Sequence, residues 1–539
     1  MRLSSACKVH CWVFVFAVGL LRSRTPSAEE SSPKIGAIRV VRKEIFDISD
    51  STKLRSVGSL VNAVHFLTRE QVIRNELLLR EGDVFDPALV EESERNLRRT
   101  GIVGDIRVRV DTVNRRTADL YVETHDKWTL SLNVSYKQDG GVRGFSSEVG
   151  EDNFLGSAQR FEMEYNYRSD RTDPHGGEVR FHEPKLFNTH WRTTVQFKNS
   201  EDLQITTFLL DRPFYAERAS WSGGVYLDRG TVRRRLYENK LEVSREDAFQ
   251  ENQNGWFVGS FGDEIKIRAG ASLQRVRTDS PGGLLRRDDN LDLMTFSLGV
   301  LQRRWRKETF LNSLVRIEDV PYGWACDLVG GKNILDSPMG SASYFFQLNA
   351  VATTELADRW YVSPRVSYSG YTATGAADET TLQWHLLAHR QLSHAHLLVL
   401  SAQSTIGSAW SPGRQLTLGS PTGLRGYPAY FLSGNRTVLV NIEHRMHPDL
   451  EWWIFHIGTA LFVDCGTAWK EGEDVVRQRF YSSAGFGLRV ENAKQQGSGV
   501  IRLDVAFNLD RNAFSEIIIT SSQLLSAFNA LETAPPNAR

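Results

Sequence analysis

The chain has 539 residues, of which 41% are apolar, and its 65 Lys+Arg are matched by 65 Asp+Glu. That balance offers no basic surface for nucleic acid, and the length exceeds what a single hydrophobic core organises. Forty-two glycines and a 10% aromatic share fit many short strands joined by turns.

Arg2 and Lys8 lead into an apolar run at residues 11–21. The run is too short to span a bilayer as a helix, so residues 1–28 read as a signal peptide for export. Cys7 and Cys11 would leave with it, and Cys326 and Cys465 are too far apart in sequence to suggest a disulfide framework. No later apolar run reaches the roughly 18 residues of a spanning helix.

Residues 35–126 form a first domain with the order strand, helix, helix, strand, strand. Thr68 is expected to cap the first helix, with Gln71 completing a capping box. Asp86-Pro87 opens the second helix, Arg95, Arg98 and Arg99 lie late in it, and Gly101 stops it. Ile106, Val108 and Val110 then alternate with charged residues, and Leu120 and Val122 repeat the pattern. The result is a small α+β unit, a sheet with two helices on one face. Its sheet edge suits addition of an extended peptide, or the unit is a plain spacer. The stretches Thr68–Arg74, Glu81-Gly82-Asp83 and Glu92–Arg98 resemble the helical core of a POTRA domain.

From residue 128 to about 525 the period becomes two. Leu130, Leu132, Val134 and Tyr136 alternate with polar residues, as do Phe161, Met163, Tyr165 and Tyr167, and later Ile501, Leu503, Val505 and Phe507. Such strands fit a soluble sandwich or a lipid-facing barrel. Charges on the polar face and aromatics at strand ends favour a transmembrane antiparallel β-barrel, whose lumen accepts the charges. Asp139-Gly140 supplies the first hairpin turn, and Val142-Arg143-Gly144-Phe145 is read as part of that turn. Residues 278–290 and 321–342, rich in Gly, Pro and Asp, read as long loops, and residues 526–539 as a tail.

Leu424-Arg425-Gly426-Tyr427 follows a Gly/Pro-rich stretch and precedes two strands with inward carboxylates. On the first, Val438, Val440 and Ile442 face out and Asn441, Glu443 and Arg445 face in. On the second, Leu461, Val463 and Cys465 face out and Phe462, Asp464 and Gly466 face in. A loop folded into the lumen would bring Arg425 to Glu443 or Asp464, and a buried guanidinium needs an anionic partner.

The Arg-Gly-aromatic loop followed by Phe462-Val463-Asp464-Cys465-Gly466 resembles the BamA/TamA superfamily of outer-membrane assembly factors. The resemblance implies a barrel of about 16 strands behind the POTRA-like domain, within the even numbers such barrels use. It implies Arg425 paired with Asp464 as a loop latch, with Leu424, Gly426, Tyr427, Phe462, Gly466 and Glu443 around it. It further implies the outer membrane of a Gram-negative bacterium, with the N-terminal domain in the periplasm. The implied partners are the lipid bilayer, unfolded outer-membrane protein clients and periplasmic accessory proteins. Two alternatives stand beside assembly: a secretion pore for one dedicated partner, and a passive channel.

His385, His389, His394 and His396 cluster without a carboxylate or cysteine at ligand spacing, and read as strand and loop residues rather than a metal site. No H-E-x-x-H, G-x-S-x-G or G-x-x-x-x-G-K-[ST] motif occurs, so neither catalysis nor a cofactor is expected.

Overall fold

The computed structural model describes residues 33–46, 59, 62–63, 65–114, 116–139, 142–280, 291–334, 343–356, 359–373, 379–410, 414–452, 454–492, 500–510, 513–520 and 524–525. The expected signal peptide at 1–28 and tail at 526–539 lie outside these residues.

The N-terminal domain contains β1 (Lys34–Lys43), α1 (Glu70–Glu76), α2 (Pro87–Thr100), β2 (Val103–Asn114) and β3 (Thr117–Asp126). The sheet order is β1-β3-β2, with β1 parallel and β2 antiparallel to β3. Ile35, Ile38, Ile73, Leu97, Leu120 and Val122 are all at most 5% exposed and make the core between sheet and helices. Asp86 caps α2 by accepting from the Ala88 amide at 2.9 Å, Pro87 follows, and Gly101 ends the helix at φ 77°. The missing N–H of Pro87 costs nothing at a helix start, and Gly101 has no Cβ to clash in the left-handed conformation.

The expected cap on α1 is corrected. The helix starts at Glu70, with Arg69 in the capping position and no side-chain cap. Thr68 instead gives both its amide and its hydroxyl to one oxygen of Asp126, at 2.7 and 2.8 Å. A carboxylate is a stronger acceptor than a backbone group is a donor to Thr, and this one is buried. Asn153, beside the first barrel turn, donates to the same Thr68 hydroxyl at 2.9 Å, so the residue ties the domain to the barrel.

A closed antiparallel barrel follows, from Leu130–Asp139 to Ala513–Thr520. It has 20 strands, not about 16. The figure of 16 comes from the resemblance, whereas the alternating runs in the sequence number about twenty; one strand lies where a loop was expected. Ile317–Asn333 is one continuous strand in register with Leu291–Thr309, although it contains Pro321, Gly323, Gly330 and Gly331 and overlaps the expected loop at 321–342. Glycine marks a loop only where the chain turns; in a crowded wall it admits a neighbour. A Cβ on Gly331 would stand 2.6 Å from a Thr295 methyl. The strand Ile265–Asp279 likewise enters the segment read as a loop at 278–290. Val142–Phe145 is also corrected: it opens the strand Val142–Phe154, with Phe145 opposite Tyr136. Arg143 shares the exposed face of Phe145, away from the lumen carboxylates.

Outward positions are apolar and exposed, as at Leu132, Phe257, Leu273 and Phe296, while charged residues line the inside. Among the described residues no helix is long and apolar enough to cross a membrane; this chain crosses with strands. Cys326 and Cys465 are free thiols.

Candidate functional site

The loop between the strands His396–Ser408 and Arg436–Trp452 folds into the lumen. Short segments Leu416–Leu418 and Leu432–Gly434 pair to form its stem, and a turn at Ser420–Thr422 leads into the Arg-Gly-Tyr tip. Leu424 is fully buried and packs with Leu418 and Leu439 at the base. Gly423 and Gly426 both have positive φ, 105° and 80°. The φ at Gly426 favours glycine, and a Cβ there would also stand a tight 3.3 Å from the Ser483 Cβ.

These turns aim Arg425 at the strand Phe455–Trp469. Its Nε and Nη2 donate to the two oxygens of Asp464 at 2.7 and 2.8 Å, a bidentate pair. Its Nη1 donates to Glu443 at 3.3 Å and to Asp504 at 3.2 Å, and its Cζ lies 3.4 Å from the centre of the Phe462 ring. Arg425, Glu443, Asp464 and Asp504 are all 0% exposed. Asn441 donates to both Asp464 and the Gly423 carbonyl, at 2.7 and 2.9 Å, locking carboxylate and loop together. The Tyr427 hydroxyl lies 2.9 Å from the Ser482 carbonyl and also beside Asp510, either of which can accept its one hydrogen. Gly466 stands where a Cβ would come within 2.8 Å of the Val438 carbonyl.

All eight residues expected at this loop therefore meet around it. Sequence reasoning missed the extent of the cluster. Asp504, Arg445 and Arg489 complete it: Arg445 reaches Glu443 at 2.9 Å, and Arg489 reaches Asp504 at 2.6 Å. A signal was present, since Arg502 and Asp504 sit on the inward face opposite Ile501, Leu503 and Val505. The four histidines do not converge on one site. His385 bonds Ser401 at 2.9 Å, His389 stacks on Tyr361, and His396 stacks on His444.

The loop also reaches the opposite wall. Tyr430 lies flat on Tyr237 with ring centres 3.8 Å apart, and its hydroxyl accepts from Arg168 at 3.0 Å and Arg171 at 3.3 Å.

At the domain side, α2 lies against barrel turns. Arg98 makes a bidentate pair with Asp319 at 2.8 and 2.9 Å, and Glu94 meets Lys307 at 3.2 Å. Burial holds the Glu92 carboxyl above its ordinary range, although the Glu217 amide donates to it. A chamber of about 1450 Å³ separates domain and barrel; Gly104 and Arg107 of β2, Lys127, Arg160 and Arg316 are among its walls. Burial, reinforced by Arg316, lowers the Lys127 ammonium to about 8.

Among the described residues the shortest register in the wall is where it closes. First and last strands are in register, among the described residues, over Tyr136, Lys137 and Gln138, opposite Ile519, Ile518 and Ile517. The Ser135 hydroxyl adds one bond to the Ile519 carbonyl at 3.2 Å. By contrast, the strand Leu130–Asp139 pairs along its whole length with its other neighbour.

The POTRA family, described as surface antigen variable number repeat, matches residues 63–136. An outer membrane protein assembly factor BamA of Neorickettsia risticii is 29% identical over 116 residues, covering 21% of this chain and 16% of that protein. The chain thus matches about a sixth of that relative's length. Among solved structures, BamA from Haemophilus ducreyi lacking POTRA domains 1–3 is 12% identical with a TM-score of 0.37, covering 90% of this chain and 84% of that one. CdiB from Escherichia coli is 11% identical with a TM-score of 0.46, covering 92% and 77%.

A POTRA domain leading into a closed antiparallel barrel, lipid-facing outside and charged within, defines an outer-membrane β-barrel. Residues 63–136 of this chain form a POTRA domain, and the segment shared with BamA of Neorickettsia risticii is limited to 116 residues.

Proposed function

We propose that the protein is an outer-membrane protein assembly factor: the POTRA domain receives unfolded clients in the periplasm, and the barrel helps insert them into the bilayer. The observation that carries this reading is the short seam. A wall joined over three pairs among the described residues exposes unpaired backbone on both edge strands when it parts, and unpaired backbone in lipid must find a partner. A client strand supplies one.

The POTRA sheet offers a delivery edge. Among the described residues β2 pairs only with β3, so its outer side is open to strand addition, and its start borders the chamber below the barrel. Strand addition recognises backbone rather than side chains and so suits many clients, while periplasmic accessory proteins would have the exposed faces of the domain. The Arg425 latch then holds the inward loop fixed while the seam works.

The test is depletion of the protein with quantification of outer-membrane proteins. Assembly predicts a fall across several clients. Unchanged levels of all of them would sink the reading. Loss of one exported protein alone would mark a secretion pore, and unaltered export and assembly together a passive channel.

A further inference from the structure

An apolar patch lies inside the charged lumen. Leu311, Val320, Leu387, Leu397 and Val399 pack together there, each at most 3% exposed. Leu397 and Val399 stand opposite Arg445 and Glu443 in the neighbouring strand, so they share its inward face. Leu311 joins them from the turn between the strands Leu291–Thr309 and Ile317–Asn333. Apolar side chains on the polar side of a barrel are unfavourable unless something covers them.

The cover comes from the far end of the chain. Leu525 is buried in this patch, with Leu524 packed beside it. It lies five positions after Thr520, the last residue of the closing strand Ala513–Thr520. The Leu525 carbonyl accepts from Arg445 Nη2 at 2.5 Å, while Arg445 Nη1 donates to the Leu311 carbonyl at 2.8 Å and its Nε to Glu443 at 2.9 Å. One fully buried guanidinium thus holds the Leu525 backbone, the Leu311 turn and the latch cluster together.

This contact reaches far round the wall. Four strands stand between the closing strand and His396–Ser408, which carries Leu397 and Val399. Across the seam the closing strand is held, among the described residues, by the pairs at Ile517, Ile518 and Ile519. Its end is held a second time from inside, by Leu525. An extended chain spans about 3.4 Å per residue, so five residues make a leash of at most about 17 Å. While Leu525 stays docked, the end of the closing strand cannot swing freely out of the wall.

We propose that Leu525 is the inner anchor of the closing strand, and that the seam parts only when this side chain leaves its patch. The proposal rests on the assembly reading, which needs the seam to part, and names the contact that must break for it to do so.

The test is hydrogen–deuterium exchange of the full chain folded in detergent micelles, read by mass spectrometry. Leu525→Asp places a charge in the apolar patch and should release the anchor. Peptides covering Ile517–Ile519 and Tyr136–Gln138 should then exchange about tenfold faster, a ratio within what burying one leucine supplies. The hairpin of Trp221–Glu238 and Leu241–Phe261, remote from the anchor, should keep its rate. Leu525→Met keeps the apolar volume and should leave all these rates near those of the unmodified chain. Folding of each variant is checked by its heat-modifiable electrophoretic mobility. If Leu525→Asp does not fold, Leu525→Ala carries the test, with a smaller acceleration in the same two segments. Unchanged exchange at the seam in the folded variant overturns the proposal. Equal acceleration throughout the barrel also overturns it, because Leu525 would then be a general packing residue. So does an acceleration in Leu525→Met as large as that in the disrupting variant. Exchange is read without any client, so failure here and failure of assembly on depletion are separate results.

Discussion

Consider the double-mutant cycle on Arg425 and Asp464. Among the described residues the cluster holds four cations and three anions, so the two truncations are not equivalent. Arg425→Ala removes the bidentate pair and the contact with Phe462, yet it leaves three cations facing three carboxylates. Asp464→Ala leaves Arg425 with Glu443 and Asp504, and the cluster with two surplus positive charges. Breaking a buried pair costs about 3–5 kcal/mol, so Arg425→Ala should fall near the lower figure and Asp464→Ala near the upper. The double mutant removes one charge of each sign and should cost no more than Asp464→Ala alone, a coupling of about 3 kcal/mol. The assay is urea unfolding of the barrel in lipid vesicles, followed by tryptophan fluorescence. Additive costs, or an Arg425→Ala cost larger than that of Asp464→Ala, would refute both the pairing and the charge count.

Other outcomes follow from single contacts. Gly426→Ala forces a side chain into a positive-φ position against Ser483 and should cost about 1–2 kcal/mol in the same unfolding assay, whereas Gly472→Ala, with open space around it, should cost only its φ strain. Lys127 has its folded value lowered to about 8 from 10.5, so the folded state binds fewer protons than the unfolded one between those values. Stability should therefore rise with pH from about 8 to 10.5, the burial penalty being fully present below 8. Lys127→Met should remove that rise and add about 2–3 kcal/mol at pH 7; a rise that persists in the variant would disprove the assignment. A disulfide between Tyr136→Cys and Ile519→Cys, which face each other across the seam, should stop client assembly when oxidised and restore it on reduction. Full assembly with the bond intact would show that the seam does not part.

The alternation of Leu130 to Tyr136 and of Ile501 to Phe507 is a property of the strand itself, so it reveals a two-faced wall without any neighbour. The same parity placed Glu443 and Asp464 on the inward side, and the Asp86-Pro87 and Gly101 signals framed α2, because caps depend on adjacent residues only. Thr68 shows where such reasoning stops. Its local chemistry favours a helix cap, but a buried carboxylate 58 positions away wins the hydroxyl.

Tertiary structure decided whatever depends on distant strands. Whether glycines at 323, 330 and 331 make a loop or a wall depends on the strand alongside, and so the number of strands was not legible in the run itself. Which carboxylate binds Arg425 depends on barrel curvature, which brings Asp464, Glu443 and Asp504 to one point from three strands. The short seam is likewise set by segments far apart in the chain. The sequence by itself determined the periods, the caps and the side of the wall each residue faces, because these depend on covalent neighbours. Closure, register and charge balance are long-range quantities, and only the folded barrel sets them.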